Sequence, residues 1–286
     1  MSEFYDALET RDPDQRESAA LEALRIQLSH AQNNTQAYAG LLKDVDTESI
    51  RTAQDFAQIP LTRKAELIEL QGRQRPFGGY NANNLAQHNQ VFASPGPIYE
   101  PGYARSDFWR LARALYAAGL RPGELVHNSF SYHLTPAGRM LESGANALGC
   151  AVIPGGVGQT ELQLQTIVDL QPQAYVGTPS FLKILLDKAD ELKLDISSIS
   201  KALVSGEALP AVLRNGFGER GIRVQQCYAT ADLGLIGYES SALEGLIIDE
   251  GIYLEIVRPG SGELLADGEV GEVVVTSLNF EYPLIR

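Results

Sequence analysis

The segment AYVGTPSFLKILLDKADELKLDISSISKALVSGEALP, residues 174–210, contains one complete strand, helix, strand and loop. Ala174 to Val176 is an apolar run of strand composition, and Thr178 followed by Pro179 joins a helix N-cap to a proline at the first helical position. Leu182, Leu185, Leu186 and Ala189 then recur at helical spacing on one face. A second strand is expected over Lys201 to Ser205, and Gly206 and Glu207 open a loop directly after it. Strands alternating with helices are the grammar of an α/β fold.

The same alternation extends outward. Upstream, Ser106 is placed to cap a helix with Phe108, Leu111, Leu115 and Ala118 on one face, and a strand is expected over Leu125 to Phe130. Thr135 and Pro136 repeat the cap-proline device before a helix that Gly149 closes, and Cys150 to Pro154 reads as the next strand. Downstream, Arg223 to Ala229 is the last strand of this pattern. Ile252 to Val257 and Glu272 to Thr276 then alternate like antiparallel strands around the turn Pro259 to Gly262. Towards the N-terminus, Leu21, Leu24, Leu28 and Ala31 at helical spacing predict one or two amphipathic helices, and Thr62 is expected to cap a short helix beginning near Lys64. The organisation expected is a helical region over 1–90, an α/β core over 91–235 and a β-rich portion over 236–286.

Composition narrows the function classes. The chain has 286 residues and a formal net charge of −13, with scattered lysines and arginines, which disfavours nucleic acid as a partner. The acidic, polar opening is unlike a secretory signal, and no apolar run reaches membrane-spanning length. Two cysteines, Cys150 and Cys227, and four histidines without helical i, i+4 spacing support neither a disulfide framework nor a structural metal site, and a reducing cytoplasm fits best.

Ligands of open α/β sheets gather at the carboxyl ends of the strands, so the strand-to-helix loops carry the functional expectation. Gly155-Gly156-Val157-Gly158-Gln159-Thr160 precedes a helix as a phosphate loop does but lacks the lysine; it reads equally as a tight turn lining another pocket. Ser205 to Pro210 puts a flexible glycine and a carboxylate after a buried strand, suited either to meeting a heterocycle edge or to plain helix capping. Gln226 to Gly234 groups a stacking aromatic, a hydroxyl and a carboxylate suited to Mg²⁺. Val91 to Pro101 is too proline-rich for a regular strand and too apolar for a solvated linker, and reads as a shaped loop.

Taken in order, PLTRKAEL (60–67), LRPGE (120–124), ALGCAVIPGGVGQTELQ (147–163), VGTPSF (176–181), LVSGEALP (203–210), YATADLG (228–234) and GEVGEVVVTSLNFEYPLIR (268–286) resemble the phenylacetate-CoA ligase branch of the adenylate-forming superfamily. The resemblance implies the large N-terminal domain of that superfamily, with layered sheets and flanking helices, and a β-rich C-terminal portion. It also implies MgATP-dependent activation of an aryl or other apolar carboxylic acid to an acyl-adenylate, followed by transfer to coenzyme A. By the same resemblance Ser205, Gly206, Glu207 and Ala208 line the adenine site with Cys227, Tyr228 and Ala229, Tyr228 packing on the base. Thr230 approaches the α-phosphate, Asp232 holds Mg²⁺, and Phe130, Tyr132, Ala137, Gly155 and Gly156 border the acyl pocket. A homodimer is the family expectation.

Two departures stand out. Where the family has a Ser/Thr/Gly-rich loop with a lysine gripping the β- and γ-phosphates, this chain has Ser94 to Pro101, with no lysine and with Pro95 and Pro97 lacking N–H donors. Ser94 and Gly96 remain as contacts, and Arg105 is the nearby basic residue. The family's hinge motif and mobile lid, which carries the catalytic lysine, are expected beyond Arg286, so the isolated 286-residue chain is expected to bind adenylates and turn over poorly. The alternative implied by the phosphate-loop departure is a non-catalytic adenylate- or acyl-binding homologue.

Overall fold

Asp12 accepts from the Asp14 and Gln15 N–H groups and Pro13 occupies the first helical position, so helix α1 (Pro13–Asn34) starts at this point in the chain. The computed structural model describes residues 4–286 and divides into two units, one built mainly from residues 104–249 and the other from 6–103 with 250–286.

In the second unit α1 ends at Thr35, whose hydroxyl accepts from Tyr38 N–H and caps α2 (Gln36–Leu41); the N-terminal pattern is therefore a helix pair. Leu24, Leu28 and Ala31 are buried as the spacing predicts. Helices α3 (Ala53–Phe56) and α4 (Lys64–Arg73) follow. The α4 cap is a correction: Arg63, not Thr62, is the N-cap, and it supplies no side-chain bond. A second correction concerns Val91 to Pro101, which is not a free-standing loop. It forms an antiparallel hairpin of β1 (Gln90–Ser94) and β2 (Ile98–Gly102), with Val91 opposite Pro101. Proline is tolerated because a two-stranded ribbon has only edge strands.

The first unit contains α5 (Leu111–Ala117), β3 (Leu125–Asn128), α6 (Ala137–Ala147), β4 (Ala151–Pro154), α7 (Thr160–Leu170), β5 (Ala174–Gly177), α8 (Pro179–Leu192), β6 (Lys201–Val204), α9 (Ala211–Glu219), β7 (Arg223–Thr230), β8 (Gly234–Tyr238) and β9 (Ile247–Ile248). The strands form one sheet in the order β4-β3-β5-β6-β7-β8-β9. The first five are parallel, and β8 and β9 add antiparallel. Leu182, Leu185, Leu186 and Ala189 of α8 join Leu164, Ile167 and Phe217 in a core over β5, β6 and β7. Burying each large apolar side chain contributes about 1.5–3 kcal/mol, which fixes the helix layer on the sheet.

Helix α5 begins at Leu111, later than the pattern over Ser106 to Ala118 suggests, and its capping carboxylate is Asp107, which accepts from Ala112 N–H through both oxygens at 3.2 and 3.1 Å. Burial pushes the Asp107 carboxyl up from 3.8 to about 6, against the lowering effect of the Ala112 and Leu111 amides and Arg110. The folded state therefore keeps a proton that the unfolded chain has already released between those two values. Stability from this group is full below the unfolded value and falls as pH rises through about 6. Asp107→Asn is expected to flatten the pH dependence of the urea midpoint between about pH 4 and 7, by about 1–3 kcal/mol across the window. An unchanged slope would reject this assignment.

Back in the second unit, β10 (Ile252–Val257) and β11 (Glu272–Ser277) form an antiparallel pair, with Ile252 opposite Ser277. Tyr38 docks there, its hydroxyl accepting from Ile285 N–H at 2.6 Å and donating to Ile285 C=O at 3.2 Å.

Candidate functional site

The loop after β6 and the C-terminal part of β7 enclose a cleft of about 400 Å³ lined by Ser205, Gly206, Glu207, Ala208, Gln226, Cys227, Tyr228, Ala229 and Leu246. All seven residues assigned by resemblance to the adenine site, Ser205 to Ala208 and Cys227 to Ala229, lie on its wall. Ser205 is buried, and its hydroxyl donates to Cys227 C=O at 2.8 Å, tying the loop to the strand. Gly206 turns with φ +84°, a conformation glycine adopts without strain. The Glu207 carboxylate accepts from the Ser180 hydroxyl at the start of α8. Burial pushes the Cys227 thiol up to about 12, so it is a neutral wall and no nucleophile.

The aromatic is aimed by a register shift. β7 and β8 pair from Cys227 opposite Tyr238 to Thr230 opposite Gly234, with an irregularity between Tyr228 and Ala229. Such bulges twist a strand and redirect a side chain, and Tyr228 is 46% exposed beside the cleft. Thr230 and Asp232 stand at the tip of the same hairpin. The Thr230 hydroxyl accepts from Leu233 N–H, and the Arg110 guanidinium holds the tip by donating to Leu233 C=O at 2.7 Å and Leu235 C=O at 3.0 Å. Asp249 balances that arginine.

Behind the cleft lies a second support. Buried Glu239 accepts from Arg214 through both oxygens at 2.7 and 2.9 Å, from Gln226 N–H at 2.9 Å and from the Gln226 side-chain amide at 2.8 Å. The guanidinium also donates to Val224 C=O. One ion pair thus fixes the stretch of β7 that leads into Tyr228.

The residues assigned to the acyl wall gather around Asn128, which is fully buried at the end of β3. Its side-chain amide donates to the Tyr132 hydroxyl at 2.8 Å and to Gly138 C=O at 2.9 Å, next to Ala137, while its Oδ1 accepts from Phe130 N–H at 3.0 Å. Its backbone carbonyl accepts from Gly156 N–H. The Tyr132 ring lies so close over Gly138 that a Cβ there would fall 2.7 Å from Cδ2. Phe130 lies beside the cleft: a Cβ on Gly206 would sit 3.8 Å from Phe130 Cε1.

The glycine loop after β4 resolves between its two readings. Gly155 and Gly156 N–H are spent on Ile153 and Asn128 carbonyls, and the Gln163 amide draws Gly156 C=O and Gly158 C=O towards itself at 2.9 and 2.6 Å. Two of the amides a phosphate cradle would require are therefore engaged in holding the turn closed. Gln163 Oε1 accepts from His127 Nε2 at 2.7 Å and from the Ser129 hydroxyl at 2.9 Å. Burial lowers the His127 pKa and keeps the imidazole neutral.

Ser94 and Gly96 belong to the β1–β2 hairpin of the other unit. Ser94 is buried, and its hydroxyl donates to Glu100 at 2.9 Å. Sequence reasoning singled out none of Asn128, Gln163, Arg110, Arg214 and Glu239. The available signal was polar side chains inside or beside apolar runs, since a buried polar group requires partners.

The family model for AMP-binding enzymes matches residues 136–280. A phenylacetate-coenzyme A ligase of Pseudomonas putida is 32% identical, covering 99% of this chain and 67% of that protein. One of Escherichia coli K12 is 31% identical, covering 98% and 67%. In fold, the chain superposes on a crystal structure of 2-hydroxyisobutyryl-CoA ligase in complex with 2-HIB-AMP and CoA with a TM-score of 0.88 at 24% identity, covering 96% of this chain and 64% of that one. The chain thus spans about two thirds of the length of the proteins it matches. With the family model matched across half its residues and the ligases across nearly all of them, the chain belongs to the AMP-binding enzymes, in the phenylacetate-CoA ligase family.

Proposed function

We propose that this protein serves the AMP-forming ligation of an apolar, aryl-type carboxylic acid to coenzyme A, with residues 104–249 carrying the adenylate and acyl sites. The observation that carries the reading is the cleft that joins Ser205–Ala208 to Cys227–Ala229, with the Phe130 edge beside Gly206. A carboxylate resists nucleophilic attack because it is already anionic, and ATP, when bound, supplies the leaving group that makes the acyl carbon reactive. In this reading the backbone of Gly206 to Ala208 meets the base edge, Tyr228 covers its face, and Thr230 lies towards the α-phosphate. Phe130, Tyr132, Ala137, Gly155 and Gly156 exclude water from the acid's apolar body.

Asp232 is a carboxylate on a hairpin tip held by Arg110, and no group of three or more His, Cys, Asp or Glu gathers into a metal site among the described residues. That donor set suits Mg²⁺, which is commonly held by one or two carboxylates together with substrate phosphates and water. The test is titration with AMP. Base–aromatic stacking is worth about 1–3 kcal/mol, so Tyr228→Ala is expected to weaken AMP roughly tenfold while leaving the melting temperature of the free protein nearly unchanged. Equal AMP affinity in the variant would remove Tyr228 from the site.

A second reading, adenylate binding without ATP turnover, is favoured by one observation: the Ser94 hydroxyl is already donated to Glu100, and Pro95 and Pro97 offer no N–H. Acid-dependent exchange of pyrophosphate into ATP would exclude that reading. Tight binding of an acyl-adenylate analogue without such exchange would favour it.

A further inference from the structure

A second cavity, of about 390 Å³, opens in the 104–249 unit and takes part in none of the chemistry above. It lies where β7 begins, between the ends of α5 and α9, and Gly221 to Gln225 form one wall. The nucleotide cleft takes the next residues of that strand, Gln226 to Ala229, so the two cavities occupy successive stretches of β7. Ala117, Ala118, Ile222, Val224 and Leu243 make the lining mostly apolar.

Its charge is unusual for this molecule. In a chain of net charge −13, the lining holds two arginines and no carboxylate. Arg214 is engaged by Glu239 and by Val224 C=O. Arg223 is exposed and makes no ion pair among the described residues, and its Nη2 lies 3.9 Å from a Cβ built on Gly119, another lining residue. An uncompensated guanidinium at the rim of an apolar cavity recognises a molecule with a planar anionic head and an apolar body. The volume lies in the range of small-molecule pockets.

We propose that this cavity is a second ligand site, separate from the adenylate and acyl sites, that binds a small apolar carboxylate with its head on Arg223 and its body against Ile222, Val224 and Leu243. The site also allows a clean blocking substitution. Gly218 lines the cavity within α9, and a Cβ there meets nothing within 4 Å, so Gly218→Leu fills the space while raising helix propensity.

The test is calorimetric titration with octanoate of the wild type, Arg223→Ala, Gly218→Leu and Phe130→Ala, the last altering the acyl wall. Saturable binding is expected in the wild type. It should weaken roughly tenfold in Arg223→Ala, as loss of a charge-assisted contact implies. One saturable site should vanish in Gly218→Leu, whose unliganded melting temperature shows that it is folded, and that site should persist in Phe130→Ala. The proposal is overturned if the wild type shows no binding near about 1 mM, the weak end of specific affinity. It is equally overturned if Gly218→Leu loses no site relative to the wild type, if Arg223→Ala has no effect, or if only Phe130→Ala abolishes binding. Because the readout needs no nucleotide, its failure is separable from failure of the ligase reading.

Discussion

Arg214→Met is expected to be among the most destabilising single substitutions in the 104–249 unit, costing about 3 kcal/mol. Methionine preserves much of the apolar stem but removes the counter-charge from Glu239, whose side chain is only 7% exposed. Breaking a buried pair by deleting one member costs about 3–5 kcal/mol, because the remaining charge is desolvated and uncompensated; the partial exposure of Arg214, at 22%, puts the expected figure at the low end. The damage spreads to the site, because Glu239 also fixes both the backbone and the side-chain amide of Gln226. Adding Glu239→Gln should recover part of the loss, since a neutral amide still accepts from Gln226 N–H without carrying a buried charge. Urea denaturation of the two single variants and the double variant measures this directly. A single variant within about 0.5 kcal/mol of wild type, the ordinary range for surface changes, would contradict it.

Asn128→Ala is expected to have a comparable effect, about 2–4 kcal/mol, for a different reason. Alanine strands Phe130 N–H and removes one donor each from Gly138 C=O and the Tyr132 hydroxyl, and a buried polar group left without a partner costs about 1–3 kcal/mol. Water entering the vacated space offsets part of the sum. Tyr132 would lose its anchor over Gly138, so the acyl wall should loosen together with the fold. Amide hydrogen exchange over residues 129–138 should then accelerate beyond the change explained by global stability. Uniform acceleration across the unit would show that Asn128 supports the fold alone.

Much of the fold was legible because local chemistry and global structure agree. Thr178 and Pro179 begin α8 as their residue types demand, the Thr178 hydroxyl accepting from Phe181 N–H, and the apolar face of that helix is buried. The strands from Leu125 to Thr230 fall where the pattern expects them to within one or two residues, and β10 and β11 pair antiparallel as their alternation predicts.

The failures have physical causes. The β1–β2 hairpin was hidden because Pro95, Pro97 and Pro101 signal irregular backbone, whereas a two-stranded ribbon leaves outward positions where no N–H is needed. Arg110, not Ser106, is the N-cap of α5, with Asp107 accepting from Ala112 N–H, because Asp107 and Arg110 both take positive φ, a local geometry that spacing does not encode. The unit built from 6–103 and 250–286 depends on segments far apart in the chain.

At the site, the lining residues were legible from loop chemistry, and their supports were not. Ser205 to Ala208 follow β6 and Cys227 to Ala229 form the C-terminal part of β7, where an open sheet presents its ligands. The supports act across larger separations: Glu239 reaches Arg214 from 25 positions away, and Gln163 reaches His127 from 36. Those pairings follow from strand order and register, which a single sequence does not display.

The central claim is that the Ser205–Ala208 loop and the Cys227–Ala229 stretch of β7 form an adenylate site. The most direct measurement is thermal stabilisation of the chain by a non-hydrolysable phenylacetyl-adenylate analogue, with Tyr228→Ala as the comparison. At about a hundredfold excess over Kd the ligand should add about 2.7 kcal/mol, giving a clear rise in Tm that shrinks in Tyr228→Ala. A folded wild-type protein whose Tm does not move, or a rise of the same size in both proteins, would contradict the account.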